Sequence, residues 1–284
     1  MNTLKTVFLL ALLSGLLVVA GNLLGGQGGM VVALVLAVVM NISAYWFSDR
    51  IALAFAKARQ VSQAEAPELY GLVGQLAREA NMPMPRVYVI DQPAPNAFAT
   101  GRDPQHAVVA VTAGILEVAS PRELRAILAH ELGHVRNRDT LVMAVVASIA
   151  GAISYIAQLA QWSMWFGGRD DDDGQSPIGA IVAIILLPIA ALLIQLAISR
   201  SREFGADESG AQLVNDPLGL ASALRKLEAY NKKVPLAVNP SVSALFIVQP
   251  LLPGGMTRWF STHPPIEERV ARLERMAGME LAQV

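Results

Sequence analysis

ILAHELGHVRNRDT, residues 127–140, sets two histidines four apart around a glutamate, immediately before an apolar run. On a helix, His130 and His134 stand one turn apart and project from the same face. Two ring nitrogens so placed can hold a zinc ion, while Glu131 works on a water at the metal. That chemistry requires a helix. Upstream, Ser120-Pro121-Arg122-Glu123 supplies a start for one: a capping serine, a proline at the first helical position and a glutamate that can reach back. The helix is predicted to run on through ELRAILAHELGHVRN.

The surroundings of the motif are apolar. Of 284 residues, 54% are hydrophobic and 16% charged, against about a quarter charged in a soluble globular domain. Mean hydropathy is +0.44. A net charge of -1 and the lack of any basic stripe exclude a nucleic-acid partner. There is no cysteine, so any metal site must be built from His, Asp and Glu.

Four segments match the ~20 apolar residues a bilayer core demands: 7–24, 31–47, 141–162 and 178–198. The turn GGQGGM joins the first two as a hairpin, and GGRDDDDGQS lies between the third and fourth. Trp46, Trp162 and Trp165 fall near span ends, as interfacial tryptophans do. Lys5, Arg50, Lys57, Arg59, Arg136, Arg138, Arg200 and Arg202 flank one side of this arrangement, and the opposite connectors carry only Arg169. The bias places both termini, residues 48–140 and residues 199–284 in the cytoplasm. The chain then divides into an N-terminal membrane hairpin (1–47), a cytoplasmic part with the histidine motif (48–140), a second hairpin (141–198) and a second cytoplasmic part (199–284).

Within the cytoplasmic parts, residues 64–80 read as an amphipathic helix through Leu69, Leu72, Val73 and Leu76. VYVI, 87–90, reads as a strand, HAVVAVTAGI, 106–115, as a second strand leading into a turn, and the Pro/Asn/Gly-rich residues between them as a turn-rich loop. His106, in the second strand, reads as structural. Beyond residue 199 two helices are expected in succession, then an irregular stretch, then a closing helix that begins near THPPIEERVARLERMAG.

Two histidines hold zinc loosely, and a catalytic site needs three protein ligands plus an open position. Glu203 is the candidate third ligand, on topological grounds. His134 lies seven residues before the third span and Glu203 five after the fourth. A membrane hairpin between them returns both helices to the same surface. Asp207, one turn beyond Glu203, can accept the second N–H of a ligand histidine and fix its tautomer.

HELGH, RSREFGADESGA at 200–211, PNAFATG at 95–101 and STHPPIEER at 261–269 together resemble the HtpX family of membrane-bound zinc metalloproteases, relatives of the CAAX prenyl endopeptidases. The likeness covers nearly the whole chain. It implies a mainly α (α+β) fold: a helical integral membrane protein with four spans and a zincin-like protease domain carrying a small β-sheet. It further implies one Zn2+ per chain on His130, His134 and Glu203, with Glu131 as general base. His263 and Arg269 match the family's element over the zinc, and become candidates for steadying the oxyanion. The expected role is stress-linked quality control in the bacterial inner membrane, on membrane-protein or unfolded polypeptide substrates beside the lipid bilayer. An extended peptide would pair with a strand edge at Asn96, Ala97, Phe98 and Ala99.

Three other functions compete. A metal transporter would carry its ligands inside the spans, which here contain no His and no acidic residue. A zinc-binding scaffold would have no use for Glu131. Narrow prenyl-peptide processing is allowed by the family link.

Overall fold

The computed structural model describes residues 2–140, 200–234, 245–248 and 263–281. The chain forms two compact units, one of residues 1–46 with 142–198, the other of 47–141 with 199–284.

Helix α1, Asn2–Ala56, is broken at Gly25 and Gly26, whose backbone leaves helical geometry. Gly26 sits at φ 55, a conformation that glycine reaches without steric cost. The chain reverses there. Gly21 faces Gly29 and Ala33 so closely that neither glycine could carry a side chain. Beyond the break, Val31, Val32, Leu34, Val35, Val38 and Val39 are exposed. The spans expected at 7–24 and 31–47 fall on this helix. Among the described residues, no helix is long and apolar enough to cross a membrane. The spans expected at 141–162 and 178–198 lie outside the described residues.

The second unit is built on a four-stranded sheet, β1 (Arg59–Gln60), β2 (Arg86–Ile90), β3 (Ala97–Thr100) and β4 (Val108–Thr112), in the order β1-β2-β4-β3. β2 and β4 run parallel, and the two outer pairings are antiparallel. β4 is buried along its whole length, as a central strand covered on both faces should be. Alternation along the strands sorts their side chains. Val87, Val109 and Val111 join one core with helices α2 (Pro67–Glu79), α4 (Pro121–Arg136), α6 (Pro217–Asn231) and α7 (Ile266–Leu281). Ile90, Phe98, Val108 and Ala110 join the other with Leu53 and Phe246.

Two elements differ from the sequence reading. The turn-rich loop holds β3, since AFAT finds partners in Val108–Val111 that its own Pro and Gly flanks do not reveal. The stretch after β4 turns at once into the short helix α3, Ala113–Val118, capped by the Thr112 hydroxyl.

α4 begins as its sequence dictates. The Ser120 side chain accepts from the Glu123 N–H, and Glu123 accepts in return from the Ser120 N–H at 2.9 Å. Glu123 is anchored further by the Ser222 hydroxyl at 2.8 Å and by Lys226 at 2.5 Å, which tie α6 to the start of α4. The motif helix is thus fixed at its N-terminus, and ten of its residues are buried.

Candidate active site

Helix α5, residues 200–214, crosses α4 at close range. A methyl on Gly133 would lie 2.7 Å from the Ser209 Oγ, and one on Gly210 would lie 2.7 Å from the backbone of His130. The two glycines therefore let the histidine helix and the glutamate helix approach more closely than side chains permit. His130, His134 and Glu203 meet at that crossing, with ligand atoms all within 4.8 Å of one another.

Each ring is oriented. The His130 Nε2 faces Glu203 at 3.8 Å, and its Nδ1 lies 3.0 Å from Asp207. The His134 Nε2 faces the other Glu203 oxygen at 3.4 Å, while its Nδ1 meets Asp139 at 3.2 Å. The rings stand nearly perpendicular, 4.7 Å between centroids. Both Nε2 atoms and the carboxylate converge on one point.

Burial lowers the His130 imidazole to about 4, with His134 and Arg269 adding to the effect. Burial also acts against a charged His134, but Glu203, Asp139 and Glu131 outweigh it and raise that group to about 10. Burial opposes ionisation of Glu203 as well, yet His263 and His134 hold it well below the usual carboxylate range. Glu131 is pushed up by burial to about 7, Glu203 adding and the Ala99 N–H opposing. Carboxylates of Glu203, Asp207 and Asp139 face the two rings, and a divalent ion at the point of convergence would keep both imidazoles neutral.

The donors fit such an ion. Two imidazoles and a carboxylate form the three-ligand set of an open catalytic zinc site. One oxygen of Glu131 is buried with no hydrogen-bond partner, an arrangement costly unless a ligand completes it.

His263 is buried with its Nδ1 3.1 Å from Glu203. Arg269 lies at the site, its Nη1 3.4 Å from Glu203 and its Nη2 3.4 Å from the His130 Nε2. It is fully buried, and its Nε and Nη2 donate to the two oxygens of Asp207 at 2.8 and 2.7 Å. Its Nη1 donates to the Ile247 carbonyl at 3.0 Å. A guanidinium engaged on both edges holds Asp207 in position and has little left to offer a developing oxyanion.

The expected substrate edge is also partly committed. Asn96 donates to the Val248 carbonyl at 2.7 Å, and the Ala97 carbonyl accepts from Ile247 at 3.0 Å. Phe98 turns its ring into the core against Phe246, 5.0 Å away. Ala99 gives its N–H to Glu131 and so places the end of β3 beside the site. His106 lies outside it, half-exposed in a 3-10 turn and bonded to Asp103 at 2.6 Å.

Sequence reasoning missed Asp139. Its signal is the acidic residue just past the motif, but only the backbone turn at Arg138, with φ 59, brings it back to His134.

Residues 63–277 match the model of peptidase family M48. The chain belongs to that family. Over 280 residues it is 52% identical to a "Protease HtpX homolog" of Syntrophotalea carbinolica, covering 97% of this chain and 99% of the relative. A protein of the same description from Pyrococcus furiosus is 51% identical over 275 residues, 96% and 95% of the two chains. The resemblance to the HtpX proteases drawn from the motifs therefore extends through the full length. The fold of this M48 peptidase is also similar to the crystal structure of S. mikatae Ste24p, with a TM-score of 0.54, 21% identity, and coverage of 84% of this chain and 56% of the other.

Proposed function

We propose that this M48 protease is a zinc-dependent endopeptidase of the membrane, with His130, His134 and Glu203 as metal ligands and Glu131 as general base. The observation that carries the reading is the convergence of three ligand atoms within 4.8 Å on the helix bearing a buried Glu131. Bound there, zinc would supply a Lewis acid that polarises the scissile carbonyl and acidifies water.

The rest belongs to the chain. Glu131, whose carboxyl burial poises at about 7, accepts a proton from the attacking water and returns it to the leaving amine, since a base works best near ambient pH. His263, beside Glu203, is the remaining candidate to donate to the oxyanion. Asp207 and Arg269 orient His130 without touching substrate. Substrates are extended or unfolded polypeptides and damaged membrane proteins, bound along the end of β3 near Ala99. The exposed valines of α1 support lipid contact, and the Lys/Arg bias supports a cytoplasmic active site in a bacterial inner membrane with stress-linked quality control as its role.

Glu131→Gln tests the mechanism in the detergent-purified chain. It should retain one zinc per chain and lose cleavage of an unfolded protein such as casein by several orders of magnitude. Retained cleavage would sink the proposal. Cysteines placed at Gln27 and Asn137, in a chain with none of its own, should label from opposite sides of the membrane, and labelling from one side only would remove the topology.

A further inference from the structure

His130 and His134 are backed in the same way on opposite sides of the site. Behind His130 stands Asp207, gripped by the fully buried Arg269. Behind His134 stands Asp139, 3.2 Å from its Nδ1 and 7% exposed. A second buried arginine, Arg202, 5% exposed, interacts electrostatically with Asp139 and with Glu203.

Reaching this arrangement is costly for the chain. After α4 ends, Arg138 takes a left-handed backbone with φ 59, a conformation that crowds the Cβ of a non-glycine residue against the following carbonyl. Its N–H still reaches the Val135 carbonyl at 3.1 Å, so the chain folds back on the last helical turn. The next residue is Asp139. Thr140 then pins the segment through its hydroxyl, 2.7 Å from the Gly101 carbonyl. Left-handed strain beside an active site persists when the surroundings over-determine it.

We propose that Asp139 is the positioning residue for His134, as Asp207 is for His130. The inference rests on the metal-site reading above. By accepting the Nδ1–H, Asp139 fixes the tautomer that aims Nε2 at the metal and strengthens that nitrogen as a donor. Each imidazole then has its own carboxylate behind Nδ1, and Glu203 faces both Nε2 atoms.

The test uses the full chain in detergent. Zinc affinity is read by competition with a chromophoric chelator, and ligand geometry by the visible spectrum of the Co2+ form. Asp139→Asn keeps size and an acceptor but loses the charge, and should weaken zinc about tenfold. Asp139→Ala loses both and should approach a hundredfold, within the range such partners command. Both should shift the Co2+ bands. Zinc binding by Asp139→Asn within twofold of the parent, with an unaltered Co2+ spectrum, overturns the proposal. His134→Ala is the control. If it too binds zinc normally, the metal-site reading itself fails, and if it alone loses zinc, only the role of Asp139 does.

Discussion

A methyl group on Gly210 would stand 2.7 Å from the Cα and N of His130. Gly210, the second glycine of RSREFGADESGA, thus sets the distance between the two helices that carry the proposed ligands. Gly210→Ala should force α5 off α4, costing about 1–3 kcal/mol as overpacking does, against a gain of roughly 1 kcal/mol in helix propensity. Overpacking wins, and bound zinc should fall with it. Gly205 on the same helix has nothing within 4 Å of an added methyl. Gly205→Ala should therefore keep its zinc and match or exceed the parent in thermal stability, so the pair separates crowding from any general intolerance of alanine.

Glu203, the proposed third ligand, lies on α5, 2% exposed and faced by both imidazoles. Glu203→Ala should abolish stoichiometric zinc. Asp207→Asn, which leaves the ligand and removes only the charge behind His130, should bind more weakly by about 10–100-fold. Metal analysis after dialysis against a graded chelator distinguishes the two. Normal zinc in Glu203→Ala would require another carboxylate to complete the site.

Arg269 and Asp207 form a buried, bidentate pair. Removing one partner of such a pair strands the other charge and costs about 3–5 kcal/mol, whereas removing both costs much less. Arg269→Met should therefore destabilise the chain more than the Arg269→Met, Asp207→Asn double variant, as read by thermal unfolding of the metal-free protein. A solvated arginine would show no such rescue.

The parts of this site that were legible in the sequence depend on local pattern. The Ser120 cap, the one-turn spacing of His130 and His134 and the Glu203–Asp207 spacing all follow from helix geometry, and the structure places those residues as that geometry requires. What stayed hidden depends on pairings made at long range or on single backbone angles. Strand β3 has only four residues, and its partners are on β4 and at Ile247. Asp139 reaches His134 through one left-handed residue. Arg269 is a site candidate through the family resemblance, but its pairing with Asp207, 62 residues away in sequence, is visible only in the fold.

Glu123 links the N-terminus of the motif helix to α6, and it makes that link sensitive to acid. Burial opposes its ionisation, but Lys226, the Ser120 N–H and the Ser222 and Ser120 hydroxyls outweigh burial and hold its pKa at about 2, below the ordinary 4.5. A carboxylate depressed in the folded state stabilises the fold fully above its unfolded pKa, and that contribution disappears as pH falls through the folded one. The window is therefore about pH 4.5 down to about 2. The shift corresponds to about 3 kcal/mol at most, reduced toward about 2 because the Lys226 side chain is 35% exposed and partly screened. Glu123→Gln keeps the hydroxyl contacts and removes the charge. At neutral pH it should be less stable than the parent by that amount, and the gap should close as unfolding is measured at successively lower pH. A gap that stays constant down to pH 3 would mean that the Lys226 contact adds nothing to the anchoring of α4.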